Sequence, residues 1–367
     1  MKKRAFTLVE LMAASAIMSI IVLGVLSVAT SILKTYNRAS GQLQNYFDAN
    51  IVGNIIVEDL ESVLLKKDGR AWLQVSYPLD VGELKGTSYT GNQPLRPPQI
   101  MFYAPTSLRP LFTKENTTFE IGDNSARVNT MIPGSLCAIK YQLALKSPFM
   151  ESTGNEADET QYNATYSLYR AVIDSRSTVI DNMGSTKQGY TSNPDSESYR
   201  YALENNVWNG TSSVVDEKGE EVSGVRLSTW AVAPENLLAT NVVDFRVTFA
   251  VMYENISAVS VDDPKYKIGY IPPGVPFTVG PKILATEAYE ISQGGGRMNV
   301  DVGSEEFKSG SLAFADVSVT FVSAAGAQEI QALQRSGRMN MEEFQRIVSQ
   351  NSITIVRRIK FMTQPLY

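Results

Sequence analysis

Glu10 is the side chain whose chemistry stands out, a single carboxylate inside an otherwise apolar run from Phe6 to Leu33. An acid near the membrane end of such a run is costly to desolvate, so it is a candidate for pairing with a cation rather than for packing. Other residues have spacings that merit weighing. Ser31-Ile32-Leu33-Lys34 has the serine-to-lysine spacing of a nucleophile and its base, but it lies at the end of one long helix, where no substrate pocket can form. The acidic pairs Asp262-Asp263, Glu305-Glu306 and Glu342-Glu343, and the group Glu217, Glu220 and Glu221, could attract calcium. None has the alternating aspartates and glycine that wrap the ion, and all read as solvated surface. Gly294-Gly295-Gly296 lacks the lysine and hydroxyl of a phosphate loop. Asn209-Gly210-Thr211 is a sequon of the kind that arises by chance in a chain rich in Asn and Thr.

What is missing narrows the chemistry further. The 367 residues contain no histidine, which excludes Ser-His-Asp and Cys-His catalysis, His-ligated zinc and the usual near-neutral proton shuttle. No cofactor and no metal site are expected, and the chain is not expected to be an enzyme. The one cysteine, Cys137, forbids an intramolecular disulfide and reads as a buried small hydrophobe within a strand. With 33 basic and 38 acidic residues the formal charge is −5, and no basic stretch beyond the start is dense enough to track a phosphate backbone. Nucleic acid is therefore not an expected partner.

The elements that position Glu10 can be read from periodicity. Met1-Lys2-Lys3-Arg4-Ala5 is a short basic leader, and residues 6–33 exceed the roughly 20 apolar residues that cross a bilayer as a helix. The denser basic cluster precedes the span, which predicts a cytoplasmic N-terminus and export of the rest. A secretory signal peptide would have a shorter apolar core ended by a small-residue cleavage site. A plain anchor would give no reason for Glu10. Over residues 34–68 the helix continues, with Tyr36, Leu43, Phe47, Ile51, Ile55, Ile56, Leu60, Val63 and Leu64 at helical spacing and no proline before Pro78. A helix from Phe6 to about Lys66 would be on the order of 90 Å long. Its second half should pack on a head.

Beyond Gly69 the period falls to two, which predicts a β-rich head over residues 69–367. The clearest strand is Asn241 to Tyr253, with Val243, Phe245, Val247, Phe249, Val251 and Tyr253 on one face. Cys137, Ile139, Tyr141, Leu143 and Leu145 make a second, and Tyr166 to Ile173 its hairpin partner. Val317, Val319 and Phe321 make another, and Ile353, Ile355, Ile359 and Phe361 a last. Between those two, Ala327 to Gln350 reads as a helix broken at Gly337. Ser147 to Gln161 and Asn182 to Ser198 are polar connections, and Pro272-Pro273-Gly274 marks a turn. The fold class is α+β, a long N-terminal helix on an antiparallel sheet head.

Arg4-Ala5-Phe6-Thr7-Leu8-Val9-Glu10-Leu11-Met12 resembles the class III signal of type IV prepilins and type II secretion pseudopilins. The resemblance implies that prepilin peptidase cuts between Ala5 and Phe6, that the new Phe6 amine is N-methylated, and that Glu10 is the assembly carboxylate. Ala5 stands where the family usually has glycine. Loss of Lys2, Lys3 and Arg4 would take the formal charge from −5 to −8. The order Lys140-Tyr141, Leu168-Tyr169-Arg170, Val242-Val243-Asp244-Phe245, Val317-Ser318-Val319 resembles the J-type minor pseudopilins and W-type minor pilins. The size and the closing Val356-Arg357-Arg358-Ile359 are also similar to the large pilin-like proteins of Verrucomicrobial gene cassettes. The implied partners are prepilin peptidase, other minor and major pseudopilins or pilins, and an inner-membrane assembly platform. The implied location is the inner membrane, single-pass, with a periplasmic head, and then a filament. A minor pseudopilin near the tip of a secretion pseudopilus is the leading expectation. An adhesin or uptake subunit of a type IV pilus is the alternative.

Overall fold

The computed structural model describes residues 8–77, 97–105, 112–113, 130–131, 136–146, 165–173, 175, 178, 203, 214–215, 221–222, 231–232, 236–255, 265–285 and 304–361. Helix α1 (Leu8–Glu61) opens the chain, 54 residues and about 81 Å long. Proline is absent from it. It stops short of Lys66 for a visible reason. The Leu64 N–H donates to the Tyr103 carbonyl at 3.0 Å, so a bond to the sheet replaces the next helical turn. Gly69, at φ 86°, then turns the chain into the head.

The head begins with β1 (Leu73–Ser76), β2 (Gln99–Pro105), and the two-residue pair β3 (Phe112–Thr113) and β4 (Thr130–Met131). It continues through β5 (Leu136–Lys146), β6 (Thr165–Ile173), the pair β7 (Val214–Val215) and β8 (Glu221–Val222), and β9 (Leu237–Thr240). β10 (Val242–Glu254), β11 (Tyr266–Tyr270), β12 (Phe277–Val279) and β13 (Ile283–Ala285) follow. The chain closes with α2 (Glu305–Ser309), β14 (Ser311–Val322), α3 (Ala324–Arg335), α4 (Met341–Asn351) and β15 (Ser352–Lys360). Two antiparallel sheets result: β13-β12-β1-β2-β5-β6-β9, and β11-β10-β14-β15. The α+β reading holds.

The main core lies where the facing sides of these sheets meet α1. Phe245, Val247, Phe249, Val317 and Val319 come from one sheet, and Ile139, Tyr141, Leu143 and Leu168 from the other. Tyr141 bridges them, stacked on Phe102 at 6.2 Å and 6.4 Å from Phe245. The strand read from Asn241 starts one residue later, because Asn241 takes φ 59° at the corner between β9 and β10. Tyr166 to Ile173 does pair with β5, and Cys137 is fully buried. Gly337 does break the closing helix, at φ 67°, and Gly274 makes its turn at φ 87°.

One expectation was too simple. β5 alternates as expected, yet its second face is also covered, because Ala138 joins Trp72, Met101, Tyr103 and Ala171 in a second apolar cluster. The stretches Ser147–Gln161 and Asn182–Ser198, Gly294–Gly296, the Asn209 sequon, Glu217, Glu220 and Asp262-Asp263 lie outside the described residues.

Candidate assembly helix and its anchorage

The functional element is α1 itself, and its two halves have opposite environments. From Leu11 to Leu33 it is long and apolar enough to span a membrane, with a mean hydropathy of 2.4 and none of the span buried. Leu23 and Leu26, for example, are 66% and 60% exposed. Three of the five hydroxyls in this stretch bond back along the helix. Ser15 donates to the Met12 carbonyl at 2.9 Å, Ser19 to that of Ser15 at 2.8 Å, and Thr30 to that of Ser27 at 2.9 Å. Hydroxyls that bond to their own helix suit a medium without water.

The second half is anchored. Ala49, Val52, Ile56 and Leu60 bury the same side of α1 against the head. Small residues let the backbone come close: a Cβ on Gly41 would sit 3.6 Å from Ser323, and one on Gly53 would sit 3.9 Å from Ile355. Leu43, Phe47 and Ile51, read from spacing as part of the head-facing stripe, are instead exposed on the opposite side. Two apolar stripes run along this part of the helix, and the head takes the one with the smaller residues.

Polar locks fix this seating. The Arg170 guanidinium on β6 donates twice to Asp59, Nε to Oδ2 at 2.7 Å and Nη2 to Oδ1 at 3.0 Å. The Tyr141 hydroxyl donates to the same Oδ2 at 2.6 Å. Asp59 is 1% exposed, and β5–β6 register sets Tyr141 beside Arg170. Burial pushes the Tyr141 phenol well above its usual range, and the Asp59 charge adds to that. Burial works against the Arg170 charge, but the hydrogen bonds and attraction of Asp59, with Tyr141 adjacent, carry its pKa above the usual value. From the other sheet, Arg357 Nη2 donates to Asn50 Oδ1 at 2.7 Å. Sequence reasoning did not find these locks. The available signal was Asp59 itself, an acid on the same helix face as Val52 and Ile56.

The predicted site residues fall as follows. The backbone of Glu10 lies in the first turns of α1, just before the bare span. Ala5 and Phe6 lie outside the described residues. Ser31 is exposed within the span, and its carbonyl accepts the Thr35 hydroxyl at 3.0 Å. Glu305 is paired with Lys282 at 3.0 Å and Lys308 at 3.4 Å, and Glu343 with Arg346 at 2.8 Å. A crevice of about 20 Å³ under α3 is lined mainly by apolar groups such as Leu145, Tyr166, Val243 and Ile330.

Against this geometry, the family comparison is decisive for the start of the chain: residues 1–26 match the prokaryotic N-terminal methylation motif. The chain carries a prepilin-type N-terminus. That motif supports a type IV pilin-like assignment, and implies processing by a prepilin peptidase and assembly with other pilin-type subunits. The bare helix behind the prepilin-type N-terminus accords with membrane anchoring. Neither the curated proteins nor the solved structures contain a match to the chain.

Proposed function

We propose that this protein is a minor pseudopilin, cut between Ala5 and Phe6 and N-methylated on Phe6, that enters the tip region of a type II secretion-like pseudopilus. The observation that carries the reading is an uncovered apolar stretch of α1, Leu11–Leu33, most of which falls within the prepilin-type motif of residues 1–26, and whose continuation from Ala49 to Leu60 is seated in a large head. Cleavage leaves a cationic amine on Phe6. The Glu10 carboxylate of an incoming subunit pairs with the amine of a neighbour, which relieves both buried charges and fixes axial register. The apolar faces supply adhesion. The role is structural, without catalysis. The head is periplasmic, and the order of its strand motifs, from Lys140-Tyr141 to Val317-Ser318-Val319, is what favours the J-type or W-type relatives. Its bulk favours the tip, because a head with two sheets crowds its neighbours when repeated along a shaft.

The test is mass spectrometry of the protein recovered from native membranes. The expected N-terminus is Phe6 bearing one methyl group. A retained leader, or a start anywhere else, would overturn the reading. For the tip position, the protein should be far scarcer than the major subunit in purified filaments; equal amounts would exclude it.

A further inference from the structure

The outward side of the four-stranded sheet ends in a strand built unlike the rest. Among the described strands β11 pairs with β10 alone, so it is an edge with one row of backbone groups turned away from the sheet. Register sets Tyr266, Ile268 and Tyr270 opposite Glu254, Met252 and Ala250, on one face, and they are 37%, 55% and 47% exposed. That face is held in shape. Tyr270 meets Phe314 edge-on at 5.8 Å, the Arg358 guanidinium lies 4.3 Å over the Phe314 ring, and both Asp316 oxygens hold Arg358 at 2.7 Å. Gly269 seats the strand, since a Cβ there would lie 3.1 Å from the rings of Phe307 and Tyr253.

The charge of this edge runs against that of the protein. A chain of net charge −5 places Lys265 and Lys267 within six residues that contain no acid. Lys267 alternates with the tyrosines and so takes the opposite face. Antiparallel pairing of one β11 with another in full overlap would set Lys267 opposite Gly269 and leave it without an acidic partner. Lys265 lies just before the strand with its amine 5.5 Å over the Tyr266 ring, so β11 itself offers exposed apolar groups on one face and the Lys267 cation on the other, a template for one complementary kind of segment.

We propose that β11 is a docking edge for an extended segment of a partner subunit in which apolar and acidic residues alternate. The apolar residues lie over Tyr266, Ile268 and Tyr270, the acids face Lys267, and the backbones pair as an added strand. That the partner is a subunit rests on the assembly reading above; the edge itself does not depend on Phe6 or Glu10.

The full chain in detergent micelles tests this, with a short labelled peptide alternating valine and glutamate as probe and fluorescence anisotropy as readout. The valine–glutamate peptide should bind and a valine–lysine peptide should not. Lys267→Glu should weaken the first by about tenfold and admit the second. Ile268→Asp should weaken binding, and methylating alternate backbone amides of the peptide should abolish it. No binding of the valine–glutamate peptide, equal binding of the two peptides, indifference to Lys267→Glu, or full binding of the methylated peptide would each overturn the proposal. Failure here, with a methylated Phe6 found on the native protein, sinks the docking edge alone. Binding here, with a retained leader, sinks the subunit reading alone.

Discussion

Asp59 and Arg170, 111 residues apart, form a two-pronged ion pair inside the head, with both side chains less than one-tenth exposed. The pair joins the last turns of α1 to β6, the penultimate strand of the seven-stranded sheet. Replacing Arg170 with Met leaves the Asp59 charge buried without its guanidinium partner, beside the Tyr141 hydroxyl. A loss of about 3–5 kcal/mol is expected, read as a lower midpoint in denaturant unfolding of the detergent-solubilised chain. The double change Asp59→Leu with Arg170→Met should recover most of it, because both buried charges are then gone.

Alkaline pH should weaken the fold through the tyrosines. Burial raises the phenols of Tyr141 and Tyr103 above their unfolded values. Below about pH 10 both states hold these protons and no stability is lost. As pH rises past that value the unfolded chain releases them first, so folding stability falls. Tyr141→Phe should lower stability near neutrality by about 1–3 kcal/mol, through the lost Asp59 bond, and flatten the alkaline decline. Denaturant midpoints across pH would show both effects.

Membrane retention should follow the bare span. Val22 sits mid-way along it and is exposed. Val22→Arg should cost about 2.5–3.5 kcal/mol of insertion, seen as a shift from the membrane to the soluble or degraded fraction.

Glu10→Ala should leave processing intact and block entry into filaments. Shearing filaments from cells and blotting for the head measures this, and normal incorporation of the variant would count against charge pairing as the assembly step.

Ala5→Gly should speed removal of the leader, because the cut follows a small residue and glycine is the smallest. Pulse-labelling and the ratio of precursor to mature form give the comparison; an unchanged rate would remove Ala5 from the cleavage reading.

The parts of this molecule that were legible in its sequence are those with long, clean periods. The apolar run through Leu33 gave α1, the alternation from Val243 to Tyr253 gave β10, and Gly337 gave the break between α3 and α4. The short strands β1, β12 and β13 were not legible, since Leu73-Gln74-Val75-Ser76, Phe277-Thr278-Val279 and Ile283-Leu284-Ala285 are too short for a period to stand out. Leu43, Phe47 and Ile51 show a second gap: spacing identifies a stripe but does not say which of two stripes the head will choose. The Asp59 lock needed the β5–β6 register before Tyr141 and Arg170 could be placed beside it.

The span from Leu11 to Leu33 has no covered side, and that restricts the life history of the whole chain. It can have no stage as a free particle in water. If the chain assembles as proposed, lipid must release it only into the grip of other greasy helices, so departure from one host and arrival in the next are a single event, and the machinery that moves it works at the bilayer surface.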